Sequence, residues 1–247
     1  MFECSSSLGS NVNLIRFTDD GRFALTSNRR FAKLWNPFKV EADNAKEALL
    51  IQTYSNFTHP ITALTSSSSI LLAASDKKVF VIDMVTSQIK RKFYEHHTGR
   101  INDVATCTDD KQGLQMLLSA SLDGTVAMWD ARGSGYKPVQ CLYEASDSVT
   151  SVLVDSSPII RTASVDGFCR TYDIRMGQLL CDDCGSPITS IALTNDRKCL
   201  AISCLDGTIR LVESNTGQLL NTYSGYHKAG QYQLEVQILA DDSCVGE

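Results

Sequence analysis

Residues 119–130 read SASLDGTVAMWD: an apolar strand, an Asp-Gly turn, a second apolar strand and a closing Trp-Asp pair. Asp123-Gly124 between two apolar runs is a strong hairpin signal, because a tight turn needs a positive φ that Gly adopts without steric penalty. The stretch returns as NRRFAKLWN (28–36), DKKVFVID (76–83), DGFCRTYD (166–173) and DGTIRLVE (206–213). The closing pairs are Trp35-Asn36, Ile82-Asp83, Trp129-Asp130, Tyr172-Asp173 and Val212-Glu213, spaced 47, 47, 43 and 40 residues apart. Only one is an intact Trp-Asp, but five in register form an internal repeat, and such a repeat decides the architecture before any single residue does.

A period of roughly 40–45 residues closed by Trp-Asp is that of β-propeller blades. The expected fold is all-β, with five recognisable blades and part of a sixth over residues 1–247 as a single domain. Strands are expected at 14–17, 23–26 and 31–35 in blade 1, at 61–64, 70–73 and 79–82 in blade 2, and at 101–105, 116–120 and 125–129 in blade 3. Blade 4 takes 149–154, 159–163 and 168–172, and blade 5 takes 188–193, 200–203 and 208–212. The sixth starts at Tyr226-His227 and runs through 234–240. One region fits poorly. The centre of 37–54, EADNAKEALL at 41–50, is rich in Ala, Glu and Leu and lacks β-branched residues. That predicts a short helix or an inserted loop before the outer strand of blade 1.

The formal net charge of -5 and pI near 5.4 argue against a bulk electrostatic grip on nucleic acid. The opening MFECSSSLGS lacks the charged and apolar regions of a signal peptide. No run approaches the ~18 apolar residues that span a bilayer, and there is neither Gly at position 2 nor a C-terminal lipidation box. No membrane partner is expected. The nine cysteines, odd in number and scattered, are expected to be reduced thiols of a cytoplasmic and nuclear protein.

The polar residues that repeat with the blades have a structural reading. His97, Ser119 or Ser121, Asp123 and Trp129 can form one hydrogen-bonded chain inside blade 3, and Asp76, Asp166 and Asp206 stand at the corresponding turns. Blade 1 has Asn28 there. Recurrence at the repeat period marks these groups as parts of the blade rather than of a catalytic site.

From about 12 to 223 the chain resembles WD40-repeat proteins. At closer range it is similar to the mitogen-activated protein kinase organizer family. The residues that carry this are KLWNP (33–37), SVDGFCRTYDIRMGQL (164–179), GSPIT (185–189), CLDGTIRL (204–211) and TGQLL (216–220). The resemblance implies a seven-bladed, non-enzymatic scaffold, without cofactor or metal. It would gather components of the ERK cascade, associate with spliceosomes, and act as a monomer within larger complexes. Against that pattern, the rest of blade six, all of blade seven and a leading outer strand are missing. The chain is therefore expected to be a truncated product; the alternative is an open ring covered by a partner.

Partner-binding candidates follow from charge. Arg29-Arg30 and Lys77-Lys78 fall in the turns between second and third strands of adjacent blades, where they form a positive rim. Trp129-Asp-Ala-Arg132 and Tyr172-Asp-Ile-Arg175 resemble the WDxR box of cullin 4 substrate receptors, which makes a ubiquitin-ligase receptor the alternative function. Lys90-Arg91-Lys92 reads as a solvated outer edge that discourages strand pairing. Cys181, Cys184, Cys199 and Cys204 have a zinc-like spacing. However, positions 199 and 204, five apart in one strand, point to opposite faces, so no metal site is expected. The chain contains no hydrolase, P-loop, zincin or dinucleotide motif.

Overall fold

The computed structural model describes residues 12–18, 20–41, 44–109, 113–156, 159–225, 229–230, 234–238 and 245–246. Tyr226-His227, the expected start of a sixth blade, lies outside them. The described residues form five four-stranded sheets, one per predicted blade, and contain no helix. Blade 1 comprises Leu14–Phe17 (β1), Ala24–Ser27 (β2), Ala32–Glu41 (β3) and Asn44–Tyr54 (β4). Blade 2 comprises Ile61–Ser67 (β5), Ile70–Ser75 (β6), Lys78–Asp83 (β7) and Ile89–Phe93 (β8). Blade 3 comprises Ile101–Asp109 (β9), Gly113–Ser121 (β10), Val126–Asp130 (β11) and Gln140–Leu142 (β12). Blade 4 comprises Val149–Ser156 (β13), Ile159–Ser164 (β14), Phe168–Asp173 (β15) and Gln178–Asp183 (β16). Blade 5 comprises Ile188–Leu193 (β17), Cys199–Cys204 (β18), Thr208–Glu213 (β19) and Leu219–Ser224 (β20). In every sheet the spatial order follows the chain order, so each blade is a meander. Gln237–Ile238 (β21) pairs with Val245–Gly246 (β22) beyond blade 5.

Two compact units divide the chain: 1–117 with 128–139, and 118–127 with 140–247. In the first, β1 adjoins β5 and β5 adjoins β9; in the second, β13 adjoins β17 and β17 adjoins β21. The first strand of each blade is thus the inner one, and middle strands such as β6 (ILLAAS) and β11 (VAMWD) are near-continuous apolar runs because both faces are covered. Leu25, Leu34, Tyr54, Phe57, Ile61, Leu71 and Phe80 fill the space between blades 1 and 2. Ala163, Ile188, Leu200 and Ile202 do so between blades 4 and 5.

Residues 37–54 correct the expectation of a helix or loop. Residues 37–41 continue β3 and residues 44–54 form β4. Pairing overrides the weak local preference for helix: Ala32 faces Tyr54, Leu34 faces Gln52 and Trp35 faces Leu50. Tyr54 is buried, and Ala48 packs with Trp35.

The outer strands fasten neighbouring blades through their side chains. Tyr54 Oη donates to Met84 O at 3.0 Å, and Gln52 bonds Ser87 in the same closing turn. Arg91 on β8 donates to the carbonyls of Asp130, at 2.9 Å, and Gly135, and lies over the Phe93 ring. It holds the loop after β11 and is more than the solvated edge cation expected of it.

The second unit has a buried ion pair. Arg161 on β14 reaches Asp155 on β13 at 3.1 Å and also donates to Ser214 O and Oγ in the closing turn of blade 5, at 2.9 and 2.6 Å. Both charged side chains are less than a tenth exposed. Removing one member strands a buried charge, whereas replacing both with apolar groups does not. Arg161→Ala is expected to cost about 3–5 kcal/mol in urea unfolding, and the double variant Asp155→Leu/Arg161→Met much less.

Two glycines separate turn geometry from crowding. Both have positive φ, but a Cβ at Gly124 would sit 3.3 Å from the carbonyl oxygens of Ala145 and Asp147, while one at Gly21 would meet nothing within 4 Å. Gly124→Ala should therefore destabilise by on the order of 2–3 kcal/mol, and Gly21→Ala by about 1 kcal/mol, as read by thermal melting of the two variants side by side.

Candidate functional site

Three of the turns between second and third strands have a common construction. Ser121, Ser164 and Cys204 end the second strands, and Asp123, Asp166 and Asp206 follow two residues later. Asp123 Oδ1 accepts from Thr125 N at 3.0 Å and Thr125 Oγ1 at 2.6 Å, and its own amide donates to Ser121 Oγ. Asp206 repeats the pattern with Thr208 at 2.9 and 2.6 Å. Asp166 accepts from Phe168 N and, on its other oxygen, from Ser146 N.

Asp76 occupies a different place from the one expected of it. It follows Ser75 directly, with φ 55, and Ser75 pairs with Lys78, so this turn is one residue shorter and has no Asp two positions after the Ser. In blade 1, Asn28 Oδ1 accepts from the amides of Arg30 and Phe31.

Two arginines not singled out from the sequence complete this construction. Arg170 meets Asp166 bidentately at 3.1 and 2.7 Å, and Arg210 meets Asp206 at 3.0 Å. Both stand four residues after the turn Asp, a D-G-x-x-R signal legible at 166–170 and 206–210; blade 3 has Ala127 in that place. Burial opposes ionisation of Asp166, but the Arg170 bonds and the Ser146 and Phe168 amides outweigh it and hold the carboxyl well below the usual range. At Asp206 burial is likewise outweighed, by Thr208 and then Arg210.

Of the chain expected within blade 3, His97 and Trp129 are both buried and meet edge to face, ring centroids 6.4 Å apart. His96 and Phe93 pack on the same indole. Ser119 and Ser121 are fully buried. In blade 1 the comparable indole is anchored through Trp35 Nε1, which donates to Thr26 Oγ1 at 2.8 Å.

The binding candidates separate into two settings. Arg29, Arg30, Lys77 and Lys78 are all exposed on the turns of blades 1 and 2. Arg132 and Arg175 are exposed on the closing turns of blades 3 and 4, where their amides donate to Asp130 and Asp173 at 2.8 and 2.9 Å. In each WDxR-type turn the Asp carboxylate thus accepts from the backbone amide of the Arg.

Among the described residues no group of His, Cys, Asp and Glu is placed to hold a metal. Cys181 is exposed, Cys199 half-buried and Cys204 buried. Cys184 is buried. A hydrogen bond between the Cys184 and Cys204 thiols, aided by Arg210, lowers the Cys184 pKa, while the same bond and burial raise that of Cys204.

The depressed carboxylates set the acid limb of stability. Asp83 is brought down to about 2 by Lys90 and the Thr86 amide, and Asp166 and Asp206 are also lowered. Folded pKa values below the unfolded one near 3.9 stabilise the fold at pH above that value. The contribution fades as pH falls from about 4 through the folded values. Urea unfolding between pH 6 and pH 2 should show this loss, and Asp166→Asn should flatten it while lowering stability at pH 6.

Residues 87–130 match the WD40 family of WD domain, G-beta repeats, and residues 168–239 match the WD40 domain of anaphase-promoting complex subunit 4. A WD repeat domain-containing protein 83 homolog of Dictyostelium discoideum is 28% identical over 270 residues, covering 97% of this chain and 79% of that protein. WD repeat domain-containing protein 83 of Rattus norvegicus is 45% identical over 109 residues, and that of Homo sapiens 42%; these alignments cover 44% of this chain and 34% of the relative. The chain thus spans about a third of the rat and human proteins it matches. Five blades at the period of the turns, with the two matched stretches, show that this chain carries WD40 repeats.

Proposed function

We propose that the protein is a non-enzymatic scaffold that gathers components of the ERK cascade, associates with pre-mRNA splicing complexes, and works as a single copy within larger assemblies in cytoplasm and nucleus. The observation that carries this reading is how the polar side chains are used. Asp123, Asp166 and Asp206 are engaged in their own turns, two of them by arginines. His97 is packed on Trp129. The groups that could serve acid-base chemistry thus hold blades together, while exposed cations on the turns are left to meet other molecules. WD40 propellers characteristically bind proteins through such faces, and function lies in the surfaces grafted on a fold.

The resemblance to the kinase organizer family supplies the particular partners. The stretch YDIRMGQL runs from the end of β15 through its closing turn into β16, and GSPIT leads into β17. Within these stretches residues 175–179 and Gly185 are exposed, where packing alone does not dictate the residues.

Affinity purification of the tagged 247-residue chain from its native cells, with mass spectrometry of what is retained, tests the proposal. Recovery of MAP kinase cascade or spliceosomal proteins is expected. Recovery instead of the cullin 4 adaptor, lost on Arg132→Glu/Arg175→Glu, would replace the scaffold with a ligase receptor, and recovery of chaperones alone would remove both.

A further inference from the structure

Blades 1 and 2 are tied at one end by a line of hydrogen bonds. Ile61 N donates to Arg29 O at 3.0 Å, Ser75 Oγ to His59 O at 2.8 Å, and Ile101 N to Asp76 O at 2.8 Å. The line runs from the Arg29-Arg30 turn to the start of β5, from there to the Asp76-Lys77 turn, and on to the start of β9. Exposed along it are Arg29, Arg30, Lys77, Lys78 and Arg100. The acids in the same loops are Asp76 and Glu95. Arg29, Arg30, Lys77 and Lys78 enter no ion pair among the described residues.

Two contrasts show that these cations are not a by-product of blade construction. The chain as a whole has a formal net charge of -5, so the rim reverses the sign of the molecule locally. The same turns in the second unit carry Asp123, Asp166 and Asp206, and two of these are paired internally with Arg170 and Arg210. Uncompensated charge held on backbone-bonded turns focuses potential toward a ligand of opposite sign and costs little ordering on binding. Beside Arg30, Phe31 is 43% exposed and offers an apolar contact within the charged rim.

We propose that this rim docks an acidic, extended segment of a protein partner, an Asp/Glu-rich stretch with an apolar residue for Phe31. The inference deepens the scaffold reading above and rests on it. A peptide fits better than nucleic acid because the cations are confined to two turns and one loop and are interrupted by Asp76 and Glu95. A phosphate backbone is gripped by basic surface along its length.

The test is fluorescence anisotropy of a labelled dodecapeptide, Asp/Glu-rich with a central Leu, titrated with the full chain at low and moderate salt. Arg29→Glu/Arg30→Glu and Lys77→Glu/Lys78→Glu should each weaken binding at least about tenfold and flatten its salt dependence. The milder Arg29→Gln/Arg30→Gln and Lys77→Gln/Lys78→Gln should weaken it by a smaller factor, and Lys137→Glu, at an exposed position away from the rim, should leave it unchanged. Thermal melting checks that each variant folds; the glutamine pairs carry the test if a reversal does not. Equal binding by the rim variants overturns the proposal, as does absence of binding by the unmodified chain at low salt. Tighter binding of an oligouridylate lost in the same variants overturns it too, in favour of RNA. In the cellular purification, a fourfold reversal that leaves the cascade proteins bound removes the rim but keeps the scaffold. Failure of the unmodified chain to retain them, with peptide binding intact, removes the scaffold but keeps the rim.

Discussion

Everything in this structure depends on how the turn between a blade's second and third strands is held against the start of the next blade. The contact is backbone to backbone. Ile61 N reaches Arg29 O, Ile101 N reaches Asp76 O, Cys184 N reaches Gly167 O and Gly230 N reaches Leu205 O. In blade 3 the turn approaches so closely that a side chain crowds it: a Cβ at Gly124 would lie 3.3 Å from the carbonyl oxygens of Ala145 and Asp147. Where Gly is present it supplies both the positive φ and the missing atom. In blade 2, with no Gly, the turn shortens by a residue and Asp76 takes the positive φ, a conformation that Asp tolerates better than most residues. The contact survives while the residues change.

A backbone clamp frees the side chains of the same turn. In the second unit they face inward to their own turn, Asp166 to Arg170 and Asp206 to Arg210. The gain there is local: an Arg whose fork matches the carboxylate, with little loss of freedom because both sit on one hairpin. In the first unit the turns need no such support, since Asn28 Oδ1 accepts from the amides of Arg30 and Phe31 and Asp76 is held by its carbonyl. Their charged residues stay in solvent. Two chemistries therefore decorate one scaffold geometry, and the difference lies in residues that the fold itself does not constrain.

The blades were legible because a 40–47-residue recurrence is a property of many residues at once, and no single substitution erases it. Local readings failed where a long-range partner decided the outcome. Residues 41–50 have the composition of a helix, but the neighbouring strand offers Trp35, Asn36 and Val40 as partners to Leu50, Leu49 and Ala48, and the chain pairs with it. Asp76 was aligned by residue type, whereas register depends on its distance from Ser75, one residue instead of two. Arg91 looked like an edge cation because its partners, Asp130 and Gly135, lie about one blade further along the chain. Arg161 was invisible for the same reason, since Ser214 is 53 residues away. The Asp–Arg pairs of blades 4 and 5 went unread, although both partners fall within one short motif.

Blade 5 shows what the repeat preserves. The side chain four residues before the first strand is Phe57, His97, Ala145 and Cys184 in blades 2 to 5, and the residue ending the second strand is Ser75, Ser121, Ser164 and Cys204. Ser75 and Ser164 donate to the carbonyls of His59 and Asp147 before the first strand of their own blades, at 2.8 and 3.1 Å. In blade 5 a thiol stands at both positions, Cys184 and Cys204, and both pack with Ile188 and Leu200. Aromatic ring, imidazole, methyl and thiol share no polar chemistry. They share only a place in the blade. The repeat thus keeps the strand–turn–strand geometry rather than residue identity, volume or hydrogen bonding: Phe57 and Ala145 fill the same place, and Ser27 Oγ, which ends the second strand of blade 1, is buried without a partner among the described residues. That is why only one of five closing pairs remains Trp-Asp in a chain whose blades are all intact.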